Sequence, residues 1–421
     1  MKKIIYLFCV TINLLACSSQ KQVGEYPVID ILSSVENYKH VYFSDYFSSM
    51  ELIPLETSDD CLVTVYPRIS EGGILINNDF IFMMGENSLY AFDVTGKFLN
   101  PIGQMGQGPE EYVSLTSNNY FNTDESTIFV ADGGTRRILE YDLGGKFIQT
   151  TPTPAVEGFP LSPSFYVGGN LFVGHIFNPG GKKVNKYCLF DRNGDIVEYF
   201  PNHFFFDRTV NFFTNFDGAF NPMLVDDRIY LKEHYNDTIY TLTHSMLKPT
   251  FIFGFGKYAI SKEDMGIPTS VGWTSKKITL KYLLGTPNYF FYSILVPDLF
   301  SRPKAKPIFY PTINKFLEDD SEVYGIYDIA ANTNILLNTD AHRQKGIIND
   351  INGGLPFFPR YYAGNGIVVD YWTAENMKEI LNDEYFATQT IKDQAGHQKL
   401  KEILKNMKDD DNPVVVIAKL K

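Results

Sequence analysis

The sequence predicts an all-β fold, a six-bladed β-propeller, with seven blades as the alternative. First, one segment occurs three times at a spacing of 49 residues, which places Asp93, Asp142 and Asp191 in register. Second, each copy alternates apolar and polar residues around an Asp-x-x-Gly turn, as antiparallel strands joined by hairpins do. Third, 15% of the residues are aromatic, which suits packed sheets. Because one such sheet cannot bury both faces, repeated sheets around an axis are expected.

The N-terminus predicts export. Lys2 and Lys3 precede an apolar run, residues 4–15, which is too short to cross a bilayer but suits a signal peptide. The run ends in Leu-Leu-Ala-Cys at Cys17 and resembles the bacterial lipobox, which implies cleavage before Cys17 and a lipid on that cysteine. The alternative is an ordinary signal peptide with an incidental cysteine.

These features divide the chain into three parts. Residues 1–16 are expected to be the lipoprotein signal peptide, residues 17–48 a polar tether followed by a segment that wraps along the surface, and residues 49–421 the propeller domain. Within that domain, residues 373–408 have apolar residues at helical spacing and predict a helical insertion in the last blade. A helical cap packed on the propeller is favoured over a hairpin that binds a partner.

Charge and cysteine content limit the classes of function. The formal net charge is −12, and removing Lys2 and Lys3 makes it −14, so binding to nucleic acid through its phosphates is not expected. Apart from Cys9 and Cys17, the cysteines are Cys61 and Cys188. Two buried free thiols are favoured over a disulfide, because Cys188 occupies a strand position that is apolar or small in the other repeats.

The remaining blades follow with less regular spacing. Strand patterns at residues 228–234 and 236–242 predict a fourth blade. Residues 288–293, 322–328 and 335–337 predict a fifth blade with long insertions, and residues 366–371 begin a sixth. Residues 50–56 read as an edge strand containing a proline, and residues 413–420 as the last strand. We expect these two ends to pair and to close the ring.

The second copy, residues 132–142, resembles the NHL-type repeat, in which Asp, Arg-Ile and an aromatic-Asp pair precede a Gly-Lys turn. The segments 106–112, 236–240 and 411–414 resemble recurring motifs of the six-bladed β-propeller lipoproteins of Gram-negative gut commensals. This resemblance spans nearly the whole mature chain. It implies the fold and a cell-envelope location, most simply a lipid anchor in the outer membrane, and it implies no reaction.

Two segments resemble ligand-binding loops in sequence. Residues 103–108 are rich in glycine, but the segment lacks the Lys-Ser/Thr of a phosphate loop and Pro109 follows, so a connection between blades is favoured. Residues 191–195 have oxygen ligands at alternate positions, as in a calcium loop, yet the other repeats have a plain turn at the same place. Gly-x-Ser-x-Gly, His-Glu-x-x-His and paired Cys-x-x-Cys motifs are absent from the sequence.

A candidate site follows from aligning the second strand of each blade. The alignment places Met84, Asp132, His175 and Glu233 at equivalent positions, which should lie at one level around the axis. Asp132, His175 and Glu233 are therefore ligand-binding candidates, and together they could hold a divalent metal or polarise a substrate. The alternative is that these polar residues satisfy backbone groups between blades.

Aromatic clusters suggest a second kind of site. Residues 204–206 with 212–213, and residues 357–358 with 361–362, are expected in loops between blades, and some of these rings are expected in the core. If several share one face, they could bind a sugar ring or a peptide. Two functions follow. The favoured one is a non-enzymatic, envelope-anchored lipoprotein whose propeller binds a peptide, a glycan or a protein partner and needs no cofactor. The alternative is a lyase or hydrolase with a metal on the axis.

Overall fold

The computed structural model describes residues 26–421 apart from 64–72, 86, 116–119, 123–126, 163, 209–211, 244–245, 311–314 and 318–320. Cys17, the predicted signal peptide 1–16 and the first residues of the predicted tether lie outside this range. The described chain begins with β1 (Val28–Ile29), a short helix α1 (Phe43–Tyr46) and β2 (Phe47–Pro54). None of the described helices has the length and apolarity needed to cross a membrane.

Six sheets, each with four antiparallel strands, form the blades of a propeller, as the sequence predicts, and β1 adds to the sheet of blade four as a fifth, parallel strand. Blade one is β3 (Ile74–Ile76), β4 (Phe80–Met84), β5 (Leu89–Asp93) and β6 (Phe98–Ile102). Blade two is β7 (Tyr120–Asn122), β8 (Thr127–Asp132), β9 (Arg137–Asp142) and β10 (Phe147–Pro152). The hairpin β11 (Ala155–Val156) and β12 (Phe159–Pro160) follows, and blade three is β13 (Ser164–Gly168), β14 (Leu171–His175), β15 (Asn185–Asp191) and β16 (Ile196–Pro201).

Blades four to six are less regular because they carry insertions. Blade four is β17 (Met223–Val225), β18 (Arg228–Lys232), β19 (Thr238–Thr243) and β20 (Met246–Phe253), followed by three 3-10 helices and α2 (Lys262–Met265). The 3-10 helices are Gly256–Tyr258, Thr269–Val271 and Thr274–Lys276. Blade five is β21 (Thr279–Gly285), β22 (Tyr289–Leu295), β25 (Glu322–Asp328) and β26 (Thr333–Leu336), with the hairpin β23 (Ile308–Tyr310) and β24 (Lys315–Leu317) inserted.

Blade six closes the ring by pairing the two ends of the domain, as expected. It contains β27 (Tyr361–Gly364), β28 (Ile367–Trp372) and β29 (Val414–Leu420), and β2 adds to β29 as the outermost strand with Met50 opposite Ala418. Between β28 and β29 lie α3 (Ala374–Ile380), α4 (Asp383–Ala387) and α5 (Gln394–Asn406), within the predicted helical insertion. Met377 and Leu400 of these helices are fully buried in the main core, so the insertion is a packed cap.

The core is distributed around the ring, because each blade packs its face on the next. Separate apolar clusters join blade six to one, one to two, two to three and three to four. A larger cluster joins blades four, five and six and includes the helical cap. Cys61 and Cys188 are both buried free thiols, as predicted; burial raises the pKa of Cys188 to about 12.

The repeated Asp-x-x-Gly segments are tight turns. Asp93 accepts backbone hydrogen bonds from Thr95 (2.8 Å) and Lys97 (3.1 Å), and Asp191 accepts the equivalent bonds from residues 193 and 195, both at 2.9 Å. The glycine of each turn has positive φ, for example 90° at Gly96, which favours a residue without a side chain. Each of these carboxylates therefore serves its own turn.

Antiparallel strands divide the connections of the propeller between two ends. At one end, which we call the turn end, the connections 77–79, 94–97, 143–146, 169–170, 192–195, 226–227 and 365–366 are all short. At the opposite end, which we call the insertion end, lie the long connections 103–119, 153–163, 176–184, 202–222, 254–278, 296–321, 337–360 and 373–413. Binding and catalytic residues are found most often on loops that a rigid scaffold positions. We therefore expect a functional site at the insertion end.

Candidate binding face

The residues proposed from the sequence all lie at, or directly after, the end of the second strand of a blade. Met84, Asp132 and His175 end the second strands of blades one, two and three, and Glu233 follows the second strand of blade four. All four therefore lie where the chain enters a connection of the insertion end. Only His175 and Glu233 approach each other, with Nε2 of the histidine 3.8 Å from Oε1 of the glutamate.

Glu233 lies in a fully buried polar cluster between blades three and four. Its carboxylate accepts hydrogen bonds from the Tyr235 hydroxyl (2.6 Å) and the Asn236 amide (3.0 Å), and pairs with Lys186 Nζ at 3.3 Å. The same ammonium lies 3.5 Å from the centre of the Tyr240 ring. Burial by itself would raise the pKa of Glu233, but the positive charge of Lys186 and the hydrogen-bond donors lower it to about 2. The Glu233 carboxylate is thus ionised, and both of its oxygens already have hydrogen-bond or ion-pair partners.

Asp132 belongs to a different network, at the join between blades one and two. Its Oδ1 accepts backbone hydrogen bonds from Val113 (3.2 Å), Ser114 (3.1 Å) and Gly134 (3.0 Å). Arg137 Nε lies 3.5 Å from Oδ2 and its guanidinium donates to carbonyls of the Gly108–Glu111 segment. Asp132 therefore holds the glycine-rich connection against blade two, which explains residues 103–112 as an inter-blade loop.

These contacts bear on the metal hypothesis. Within the described ranges, no group of three or more His, Cys, Asp or Glu side chains is arranged to hold a metal ion. His175 Nδ1 lies 3.2 Å from the Ser162 carbonyl oxygen and its Nε2 has no hydrogen-bond partner among the described residues. The proposed three-residue ring is thus split into a pair and a separate aspartate, and a ligand-binding role for these residues stays a prediction.

The aromatic clusters proposed from the sequence are distributed differently from the expectation. Phe357 and Phe358 are buried in the core, and Tyr361 and Tyr362 belong to strand β27 rather than to a loop. The expected loop position is therefore wrong for Tyr361 and Tyr362, whereas Phe357 and Phe358 lie in the connection 337–360 and pack in the core cluster that joins blades four, five and six. In the other cluster Phe206 is buried, whereas Phe213 is 65% exposed.

Phe213, which the sequence predicted to lie in an exposed aromatic cluster, belongs to an aromatic patch whose other two members, Phe159 and Phe177, the sequence did not indicate. Phe159, Phe177 and Phe213 come from three different connections of the insertion end, 153–163, 176–184 and 202–222. The ring centres of Phe177 and Phe213 are 5.5 Å apart with planes 28° apart, and Phe159 lies 5.5 Å from Phe177 and 6.4 Å from Phe213. We call these three rings the aromatic patch. No local sequence signal links them, since they meet only when blades two, three and four are assembled.

A buried ion pair holds the backbone on both sides of Phe213. The Arg208 guanidinium donates a 2.7 Å hydrogen bond to the Phe212 carbonyl and forms a buried ion pair with Asp217. Asp217 in turn accepts a 2.6 Å hydrogen bond from the backbone of Thr214. Both neighbours of Phe213 are therefore fixed by the same buried pair, so its exposure is built into the fold.

The class of protein that these observations define is a six-bladed β-propeller with one elaborated end. The chain belongs to the family described as a domain of unknown function, DUF4934, whose profile matches residues 26–419. No curated protein matches the sequence.

Two solved structures are similar in fold. One is a protein of Bacteroides fragilis NCTC 9343 described as exported, which is 17% identical with a TM-score of 0.64 and covers 94% of this chain and 99% of that one. The other is a member of the DUF4221 family from Bacteroides vulgatus, 13% identical with a TM-score of 0.52, covering 89% of this chain and 97% of that one. At these identities the similarity establishes the fold alone.

Proposed function

We propose that the protein is an exported, lipid-tethered binding propeller that engages a partner through its insertion end. The basic residues, apolar run and lipobox ending at Cys17 support export and lipidation. Similarity to a protein described as exported agrees with this. A lipid on Cys17 would anchor the propeller in the envelope, most simply at the outer membrane.

The observation that carries the binding role is the aromatic patch. A phenylalanine that is 65% exposed on a loop fixed by a buried ion pair costs solubility and contributes nothing to the blade core. Exposed apolar groups rimmed by polar residues mark interaction sites. Aromatic rings also supply much of the affinity at protein interfaces and ligand sites, because they bury a large area and lose little entropy.

A metal-dependent lyase or hydrolase has weaker support. The Glu233 carboxylate is already bonded to Lys186, Tyr235 and Asn236, and the three backbone N–H groups on Asp132 occupy one of its oxygens. Neither carboxylate is available to a metal or a substrate without breaking a buried network, which costs several kcal/mol, roughly 3 to 5. We therefore favour binding without catalysis.

Two measurements test the proposal. The full chain expressed in a Gram-negative host should incorporate an alkyne fatty-acid probe, and Cys17→Ala should accumulate as an unlabelled precursor; labelling of that variant would contradict the anchor. The detergent-solubilised protein should bind members of a glycan or peptide array, and Phe213→Ala should lose that binding. Tyr199→Ala is the matched control, because Tyr199 is 46% exposed on β16, the outer strand of blade three, which directly precedes the connection that carries Phe213. Equal loss in both variants would contradict a site at the insertion end.

A further inference from the structure

We propose that the aromatic patch is a carbohydrate subsite that stacks the apolar face of a pyranose ring in an uncharged glycan. This inference rests on the proposed binding function and adds the class of ligand. Three observations carry it: the geometry of the three rings, the charges that surround them, and the rigidity of Phe213.

The ring geometry presents a flat surface. Phe177 and Phe213 are nearly parallel, with 28° between their planes, and Phe159 stands at 72° to Phe213. One face of Phe213 packs toward Phe177, and the residue as a whole is 65% exposed, so the ring presents a flat apolar surface toward solvent. The face of an aromatic ring is electron-rich, and the C–H groups on one face of a pyranose carry partial positive charge. A flat ring of this kind therefore offers a stacking surface for a sugar.

The charged residues on the same three connections favour an uncharged ligand. Glu157 pairs with Lys183, whose Nζ is 5.7 Å from the Phe159 ring centre. Lys182 pairs with Asp207 at 3.4 Å. Each pair joins two of the connections, and two positive and two negative charges sum to zero. The groups can donate and accept hydrogen bonds with sugar hydroxyls, but their net charge does not attract an anionic or a cationic partner.

The rigidity of Phe213 reduces the entropy cost of binding. Because Arg208 and Asp217 bind the backbone of Phe212 and Thr214 on both sides of the ring, a ligand does not have to order these neighbours of Phe213, and preorganisation of this kind raises affinity. An apolar side chain of a protein partner could also contact the patch. That contact would depend on buried area and not on a planar ring, so the two occupants respond differently to substitution at Phe213.

The first experiment is native electrophoresis of the full chain in detergent, through gels containing starch, mixed-linkage β-glucan, galactomannan or, as the acidic counterpart, polygalacturonate. At least one neutral polysaccharide should retard the protein, and an oligosaccharide of that polymer then gives the dissociation constant by calorimetry. Phe213→Trp should keep the affinity within about threefold, while Phe213→Leu should weaken it about tenfold. Tyr199→Leu is the matched control and should bind as the parent does.

Each other outcome overturns the inference in an identifiable way. If Phe213→Leu binds the sugar as the parent does, the patch is not a stacking surface. If polygalacturonate alone retards the protein, or no polysaccharide does, the uncharged-glycan assignment is wrong. Binding to peptides that depends on Phe213 would then leave the proposed binding function standing, whereas no binding to glycans or peptides would remove both. Thermal melts of the variants within about 1 °C of the parent, as expected for surface sites, show that the fold is intact.

Discussion

At the scale of single residues, the polar groups at the strand ends act first as links between blades. Asp132 fixes the connection between blades one and two, and Glu233 with Lys186 joins blades three and four. The sequence alignment predicted equivalent positions, but the pairing with Asp93, Asp142 and Asp191 places Asp132 one residue further along its strand than Met84 and His175. It could not show that Asp132 Oδ1 accepts three backbone hydrogen bonds, since two of the donors, Val113 and Ser114, lie about twenty residues earlier in the chain.

We expect Asp132→Ala to destabilise the protein by about 3 kcal/mol, comparable to truncating a buried ring, because three backbone N–H groups would lose their acceptor. Phe129→Ala, which removes a fully buried ring of blade two, is the reference variant. Urea unfolding followed by tryptophan fluorescence measures both. Near-parental stability of Asp132→Ala combined with loss of ligand binding would instead identify Asp132 as part of the binding site.

His234 and Asp237, which follow the second strand of blade four, predict a particular dependence of stability on pH. Burial lowers the pKa of His234 to about 4, so its contribution is fully present above the unfolded value of about 6.5 and is lost as pH falls toward 4. Burial raises the pKa of Asp237 to about 6, so this carboxyl favours folding as pH falls from 6 toward 4. The two effects have opposite signs in the same range.

Removing one of the two ionisable groups should reveal the effect of the other on the pH dependence of stability. Asp237→Asn should lose stability more steeply than the parent between pH 6.5 and 4.5, by on the order of 1 kcal/mol. Denaturant unfolding at both pH values measures the difference, with Asp227→Asn at an exposed position as control. A parallel pH profile for parent and Asp237→Asn would show that Asp237 ionises normally.

At the scale of elements, the roles of short sequence motifs depend on contacts with residues far away in the chain. Asn412, just before the closing strand, donates hydrogen bonds to the carbonyls of Glu56 (2.7 Å) and Cys61 (2.8 Å) and accepts one from Val63 (3.0 Å). The segment 411–414 thus ties the end of the helical cap to the chain leaving β2. The helical cap itself was predictable, because apolar residues at helical spacing are a local signal.

Deleting residues 414–421 should abolish cooperative unfolding and promote aggregation. The deletion removes the third strand of blade six, which pairs with both β28 and β2, and leaves two unpaired strand edges. Circular dichroism melts and light scattering measure the result. Lys419→Ala, at an exposed position of the same strand, should behave as the parent. A deletion variant that melts cooperatively at the parental temperature would show that ring closure does not depend on this pairing.

At the scale of the whole molecule, the N-terminal segment connects three blades. Strand β1 adds in parallel to β20 of blade four, Lys39 bridges to Leu337 after blade five, and β2 completes blade six. Ile29, Ile31 and Phe43 along this path are fully buried. The segment therefore contributes buried side chains to the core, while Asp30, Leu32 and Lys39 between them remain exposed.

The sequence by itself determined the repeated blade, the helical cap, the free thiols and the pairing of the two ends, because each depends on periodicity or composition within a short stretch. Only the tertiary structure decided which residues meet at the insertion end. Phe159, Phe177 and Phe213 lie on three connections and have no shared pattern, and Asp132 and Glu233 are equivalent in sequence yet belong to separate networks. Contacts between blades join residues far apart in the chain, and a period within blades does not encode them.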